Sequence, residues 1–222
     1  TTQGILDNIF AGISPVGVIG DSLASGSTDE GSFRDYSWWK VLERDSGATY
    51  HGFCAGGMST RSFLINNNYG MPVLKSTEQC ALYIIGLGVN DRSALGDDYL
   101  GSVSDIDTAD YTNNGDTYYG NYARIVQMIQ EYAPNARIIM LTDARYESGF
   151  NVAVRTIAQM FGCFVLDLYN DYASLYAKGG IFYQFQGTTA HYSKLGYMAI
   201  GKFMEKALSN MILDNLPSFK DI

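Results

Sequence analysis

The sequence alternates short apolar segments with longer segments of helical periodicity. Five apolar segments have the length of a buried strand: Val16–Gly20, Thr49–Cys54, Leu82–Gly86, Arg137–Thr142 and Cys163–Leu168. Four others space apolar residues as an amphipathic helix does: Asp35–Arg44, Tyr118–Tyr132, Asn151–Phe161 and Ser193–Met211. Strands that alternate with helices favour parallel pairing. The pattern therefore predicts an α/β fold with a five-stranded parallel sheet in a three-layer α/β/α sandwich of flavodoxin-like type.

The composition indicates one domain without a linker. The chain has 222 residues, with 24 Gly but only 4 Pro, and no Pro-rich stretch separates two halves. We expect residues 1–222 to form a single domain in which residues 1–14 lead into the first strand, and to which an upstream domain could be joined.

The charge balance argues against two classes of partner. Fifteen Lys and Arg residues stand against 23 Asp and Glu residues, which gives a net charge of −8 and a pI near 4.6. Such a chain has no basic patch with which to neutralise phosphates, so nucleic acid and anionic membrane surfaces are disfavoured. No apolar run approaches the roughly 18 residues of a membrane-spanning helix, so no membrane insertion is expected.

The cysteines do not suggest a metal or disulfide framework. Cys54, Cys80 and Cys163 are few and scattered, and no Cys-x-x-Cys pair is present. We expect each to pack as a small hydrophobic residue, and we expect no metal ion and no organic cofactor.

Polar and glycine-rich motifs follow three of the predicted strands. Residues 20–26 (Gly-Asp-Ser-Leu-Ala-Ser-Gly) place Ser22 at a strand-to-helix turn, where a nucleophile or a simple helix N-cap at Asp21 or Ser22 would both fit. Gly57 follows the second strand and Asn90 the third, and each could donate an N–H to an oxyanion. A tight turn at Gly57 and a helix cap at Asn90 are the alternatives.

The chain has two histidines that could act as a general base. His51 lies within the second apolar segment, where a structural role fits better. His191 follows the last predicted strand and precedes the C-terminal helix, a place from which a loop can deliver a base. A surface histidine without chemistry is the alternative for His191.

These four motifs together resemble those of the SGNH hydrolases, also called the GDSL esterase/lipase family. Ser22 in Gly-Asp-Ser-Leu resembles the first-block nucleophile, and Gly57 resembles the second-block glycine. Asn90 in Gly-Val-Asn-Asp resembles the third-block asparagine, and His191 the histidine of the last block. The resemblance spans Gly20 to His191, and it implies that Ser22 attacks an ester while His191 takes its proton. The N–H groups of Ser22 and Gly57 and the Asn90 amide would hold the oxyanion.

The last block departs from the family pattern. The family has Asp three residues before the histidine, whereas this chain has Thr188. Three substitutes are open: a Ser22–His191 dyad oriented by a backbone carbonyl, which we favour; a carboxylate from Asp143 or Asp167; or the Thr188 hydroxyl. Because losing the orienting carboxylate can cost about 10⁴ in rate, a weakened or lost activity is also open.

The substrate class follows more loosely. The 17 Tyr residues and the polar segment Gly96–Gly120, a candidate lid or wall of the site, suit a carbohydrate surface, although packing would also explain the tyrosines. We expect a small-molecule or glycan ester as partner, most simply an O-acetyl group on carbohydrate. Similarity to SGNH domains of gut bacteria and of their phages' tail proteins favours an extracellular or phage-tail location.

Two other functions also fit the sequence. A carbohydrate-binding module that kept the SGNH fold without catalysis would explain Thr188. A flavodoxin-like nucleotide binder would explain the glycine-rich strand ends without His191, although no basic residue accompanies Gly20–Gly26.

Overall fold

The fold is built on a parallel sheet whose strands are mostly buried. The computed structural model describes residues 9–28, 30–145, 147–172 and 191–219. The strands are β1 (Val16–Gly20), β2 (Ser27–Thr28), β3 (Gly31–Ser32), β4 (Tyr50–Cys54), β5 (Leu82–Gly86), β6 (Arg137–Leu141) and β7 (Phe164–Leu166). The main sheet has the order β4-β1-β5-β6-β7 with parallel pairing throughout, and β2 and β3 form a separate hairpin. The predicted fold class is therefore confirmed.

Helices cover both faces of the sheet. They are α1 (Ser22–Ser25), α2 (Trp38–Ser46), α3 (Thr60–Ile65), α4 (Met71–Leu74), α5 (Val89–Leu95), α6 (Tyr118–Tyr132), α7 (Gly149–Phe161), α8 (Lys194–Asp214) and α9 (Leu216–Phe219). The side chains of α2 and α8 pack in one apolar layer, and those of α3, α6 and α7 pack in the other. Because both faces are covered, the central strands are apolar at nearly every position instead of alternating.

The predicted strands and long helices are found with small shifts at their ends. Thr49, Thr142 and Leu168 lie outside the strands in which the sequence placed them. The segment predicted as a helix from Asp35 begins instead as a 3-10 turn at Arg34–Tyr36, and α2 starts only at Trp38. The pattern missed α3, α4 and α5, because helices of four to seven residues are too short to show an apolar periodicity.

The segment Gly96–Gly120 is anchored along its length. It contains three 3-10 turns, at Asp97–Tyr99, Val103–Asp105 and Tyr111–Asn113. Arg124 of α6 donates hydrogen bonds to the carbonyl oxygens of Tyr111, Thr112 and Asn114. The segment's role as a substrate wall remains a prediction.

The cysteines and the C-terminal tail contribute to the packing of the fold. Cys54 and Cys80 are buried and Cys163 is half-buried, and all three are free thiols. Phe219 is buried against Phe164, with ring centroids 4.9 Å apart, so the described part of the C-terminal tail packs on its own sheet. Among the described helices, none combines the length and apolar character needed to cross a membrane.

Candidate active site

The register of the central strands brings three of the predicted site residues to one edge of the sheet. Gly20 at the end of β1 pairs with Cys54 of β4 on one side and with Gly86 of β5 on the other. Ser22, Gly57 and Asn90 each follow within four residues of these strand ends. The strand order reverses between β1 and β5, which is where ligands bind in doubly wound sheets.

Asp21 shapes the turn that presents Ser22. Its carboxylate accepts a hydrogen bond from the backbone N–H of Leu23 at 2.9 Å and caps α1, so the helix-cap interpretation of Asp21 is correct. Ser22 is the first residue of α1 and is half-buried. Its hydroxyl therefore stands at the positive end of a short helix turn, where negative charge is favoured.

The Asn90 amide ties two of the strand-end loops together. Asn90 Nδ2 donates to Asp21 Oδ2 at 3.3 Å and to the carbonyl oxygen of Met58 at 3.1 Å. Since Met58 follows Gly57 directly, one amide links the Ser22 turn to the glycine turn. The neighbouring Asp91 makes separate contacts: its carboxylate accepts hydrogen bonds from the backbone N–H of Thr60 at 2.9 and 3.1 Å.

The backbone N–H groups of Ser22 and Gly57 differ from the Asn90 amide in whether they already have hydrogen-bond acceptors. Gly57 is exposed and has φ +74, and neither N–H donates to another group in the described part of the chain. Both are therefore open to an acceptor such as an oxyanion. Both N–H bonds of Asn90, in contrast, already have protein acceptors.

The segment that carries His191 lies near this edge of the sheet, although it comes from the other end of the chain. His191 is half-buried and lies just before α8, whose N-cap is Ser193. The hydroxyl of Tyr197, the fourth residue of α8, shares its proton between the carbonyl oxygens of Ser27 at 2.7 Å and Ser22 at 3.3 Å. The start of α8 is thus bonded to the Ser22 turn, which brings the His191 segment to the same region. Thr188 lies outside the described residues.

Arginines engage the two carboxylates considered as orienting partners for His191. Asp143 pairs with Arg145, whose Nε and guanidinium NH2 donate at 2.9 and 2.8 Å. Asp167 accepts hydrogen bonds from Arg155, Thr142 and Asn170. Although burial opposes its ionisation, these bonds hold the pKa of Asp167 at about 2. Both carboxylates are therefore ion-paired with arginines.

His51, the other histidine, lies away from this edge. It is in β4, and its Nε2 lies 2.8 Å from Glu78 Oε1 in an exposed pair. It takes the structural role that the sequence favoured.

A cavity of about 120 Å³ lies at the carboxyl ends of β1, β5 and β6. Asp21 and Leu23, which flank Ser22, reach into it, and most of the remaining lining is apolar. Within the described ranges, no group of three His, Cys, Asp or Glu residues is arranged to hold a metal ion.

Comparison with known families identifies the family of the chain. The model of the GDSL-like lipase/acylhydrolase family matches residues 18–199, which include Ser22, Gly57, Asn90 and His191. The chain belongs to this family. The resemblance noted in the sequence is therefore confirmed, and the lipases after which the family is named are ester hydrolases.

Solved structures similar to this GDSL-like chain share the fold at low sequence identity. A Bacteroides uniformis protein named as a GDSL-like lipase has 13% identity and a TM-score of 0.64, with 91% of this chain and 98% of that one covered. The psychrotrophic esterase EstA from a Pseudoalteromonas species has 14% identity and a TM-score of 0.60, with coverages of 89% and 97%. A family 2 carbohydrate esterase with a carbohydrate-binding domain, from Myceliophthora fergusii, has 17% identity and a TM-score of 0.57, with coverages of 89% and 67%. No curated protein matches the chain.

Two residues of this GDSL-like site went beyond the sequence reasoning. The sequence indicated only a helix cap for Asp21, which also binds Asn90, and Gly196-Tyr197 resembled the family's last block without indicating a contact for the Tyr197 hydroxyl. The adjacency of Asp21 to Ser22 was a usable signal. No local pattern indicates the Tyr197 contact, because its partner lies 175 residues away in the sequence.

Proposed function

We propose that this chain is a serine esterase that hydrolyses short-chain carboxylic esters, in particular O-acetyl groups on carbohydrate. The observation that carries the proposal is the pair of open N–H groups at Ser22 and Gly57 beside the Asn90 amide. Three donors around one serine can stabilise the negative charge that ester hydrolysis develops. The similar structures include esterases, one of them a carbohydrate esterase, which supports both ester hydrolysis and a carbohydrate substrate.

In the proposed mechanism, Ser22 Oγ attacks the carbonyl carbon of the ester while His191 accepts the hydroxyl proton. The carbonyl electron pair moves to oxygen, which accepts hydrogen bonds from the N–H groups of Ser22 and Gly57 and from Asn90. Collapse of this intermediate breaks the bond to the alcohol, and His191 protonates the departing oxygen. Water then attacks the acyl-Ser22 ester with His191 again as base.

The proposal is tested by hydrolysis of p-nitrophenyl acetate, butyrate and octanoate and of O-acetylated oligosaccharides. We expect the wild type to prefer acetate, and Ser22→Ala and His191→Ala each to lose about a thousandfold or more in kcat. His51→Ala is the matched control, because it removes the other imidazole, and it should retain activity. A wild type no faster than Ser22→Ala would overturn the proposal.

The pH profile gives a second test of the same proposal. A neutral imidazole is needed to accept the serine proton, and an ordinary histidine protonates below a pKa of about 6.5. We expect kcat/KM on p-nitrophenyl acetate to fall as the pH drops below neutral. A flat profile from pH 5 to 8 would contradict a histidine base.

A carbohydrate-binding module without catalysis is the second candidate. It is favoured by one observation, Thr188 at the position where the family has an aspartate three residues before His191. A serine-directed fluorophosphonate separates the two candidates, because only an activated serine reacts. Mass spectrometry should find the adduct on Ser22 in an esterase, and no adduct in a binding module.

A further inference from the structure

The Asn90 side chain has no spare hydrogen-bond donor in this structure. A primary amide has two N–H bonds, and those of Asn90 point to Asp21 Oδ2 and to the carbonyl oxygen of Met58. If Asn90 is to donate to a developing oxyanion, one of these acceptors must give way. This inference rests on the proposed esterase function.

The geometry favours release of the Asp21 bond. At 3.3 Å it is longer than the 3.1 Å bond to Met58, and a longer bond is cheaper to exchange. It also lies on the side of the nucleophile, since Asp21 is bonded directly to Ser22. The Met58 carbonyl belongs to the turn that carries Gly57, so keeping this bond holds Asn90 beside the second backbone donor.

We propose that Asp21 is a positioning residue for the oxyanion donor: its carboxyl oxygen and the Met58 carbonyl fix the plane of the Asn90 amide. In the transition state the substrate oxygen replaces Asp21 as the acceptor of one Asn90 N–H. No covalent bond changes in this exchange. Asp21 acts only through Asn90 and does not touch the reacting atoms.

Asp21→Asn tests this selectively. Asparagine is as good an N-cap as aspartate, so its single side-chain oxygen can keep the bond to the Leu23 N–H. Its amide nitrogen then faces the Asn90 Nδ2, and two donors cannot bond to each other. The substitution therefore removes the Asn90 contact while preserving the helix cap.

A double-mutant cycle with Asn90→Ala separates positioning from a structural role. On p-nitrophenyl acetate we expect Asp21→Asn to lower kcat about tenfold with KM within about twofold, and Asn90→Ala to lower kcat about a hundredfold. In the Asn90→Ala background, Asp21→Asn should cause no further loss. If the two losses multiply instead, Asp21 does not act through Asn90 and the inference is overturned.

Asp91→Asn is the matched control in the same cycle. It alters a neighbouring buried carboxylate whose partner is Thr60 and leaves both acceptors of Asn90 in place. Whatever factor it causes in the wild type should recur unchanged in the Asn90→Ala background. If Ser22→Ala and Asn90→Ala retain wild-type turnover, both the esterase function and this inference fail; a multiplicative cycle between active variants overturns the inference alone.

A spectroscopic measurement keeps the inference testable if Asp21→Asn does not fold. In ¹⁵N-labelled wild type, one of the two side-chain amide protons of Asn90 should shift when Ser22 carries a phosphonate adduct, which presents an anionic oxygen. The other proton should keep its position because the Met58 bond persists. Two unshifted protons would overturn the exchange.

Discussion

The carboxyl group of Asp21 is the buried ionisable group next to the proposed nucleophile. Burial raises the pKa of Asp21 to about 7, although the Leu23 N–H and the charge of Arg145 act to lower it. Burial also raises the pKa of Asp91, to about 6, against the hydrogen bonds from Thr60. In the unfolded chain an aspartate has a pKa near 3.9. At these two carboxyl groups the folded chain therefore binds a proton more tightly than the unfolded chain does.

This difference predicts a pH-dependent stability. Between about pH 4 and 7 the native state holds more protons than the unfolded state, so Asp21 makes the free energy of unfolding fall as the pH rises. The loss is about 1.4 kcal/mol for each unit between the two pKa values. Urea unfolding at pH 5 and pH 8 should show a smaller decline for Asp21→Asn than for the wild type.

The control for this prediction is Asp167→Asn. The pKa of Asp167 lies below its ordinary value, so its contribution to stability is lost as the pH falls, in the opposite sense to that of Asp21. Asp167→Asn should lower stability at both pH values without flattening the decline. Equal slopes for wild type and Asp21→Asn would refute the assignment to Asp21.

Gly57 gives a second prediction at the residue scale. Its φ of +74 is costly for a residue with a side chain, although a Cβ there would meet no atom within 4 Å. Gly57→Ala should therefore destabilise the fold by about 1–2 kcal/mol and, by letting the turn relax, move its N–H and lower kcat.

Gly162→Ala is the matched control for Gly57→Ala. Gly162 has φ +66, also with open space around a Cβ, but it ends α7 just before β7 begins. It should lose a similar free energy of unfolding and keep its esterase activity. Equal loss of activity in both variants would mean that Gly57 matters only for stability.

At the scale of elements, β4 is an edge strand of the described sheet, next to β1. An edge strand has backbone groups that can pair with another chain. Arg34 covers part of this edge, because its guanidinium donates to the carbonyl oxygens of Gly52 at 3.3 Å and Cys54 at 2.7 Å. The guanidinium also lies 4.9 Å from the centre of the Tyr69 ring. Because an uncovered edge strand can pair with another chain, Arg34 opposes self-association through β4.

Arg34→Ala should expose that edge. We expect a loss of about 1–3 kcal/mol in the free energy of unfolding, since two carbonyl oxygens lose a charged donor, and a larger dimer or aggregate fraction in sedimentation velocity. Arg34→Lys keeps the charge but can reach fewer acceptors, so it should be intermediate. A monomeric and fully stable Arg34→Ala variant would argue against edge protection.

The elements themselves were largely predictable from the sequence. The five apolar segments and four periodic helices are found, because burial on both faces of the sheet and on one face of a helix leaves local patterns. The exact ends were not, as at Trp38, where a 3-10 turn precedes the helix. No local sequence pattern distinguishes the last residues of a strand or helix from the loop that follows.

At the scale of the whole molecule, α8 closes the structure onto the Ser22 turn. The buried side chain of Tyr197 carries the contact through its hydroxyl, which bonds to the carbonyl oxygens of Ser22 and Ser27. The two partners lie 175 and 170 residues from Tyr197, so this contact joins the two ends of the fold. It also sets the beginning of α8, and with it the His191 segment, relative to the nucleophile.

Tyr197→Phe should loosen that closure. We expect a loss of about 0.5–1.5 kcal/mol in the free energy of unfolding, because the partly buried carbonyl oxygens of Ser22 and Ser27 lose the donor that they share, together with a fall in kcat. Tyr50→Phe is the control: Tyr50 is also buried in this layer, and its hydroxyl has no hydrogen-bond partner within the described residues. Thermal unfolding and p-nitrophenyl acetate turnover measure both variants. Equal effects would show that the loss of any buried hydroxyl suffices.

The sequence by itself determined the α/β class, the parallel sheet, the family and four candidate residues, because apolar periodicity and short motifs are written along neighbouring positions. The tertiary structure decided which groups meet. Asp21 and Asn90 lie 69 residues apart, and only the pairing of β1 with β5 brings them within hydrogen-bond distance. The tertiary structure also pairs Asp143 and Asp167 with arginines. Such partnerships depend on distances across loops that chain order does not encode, so local patterns could propose the site residues but not their hydrogen bonds.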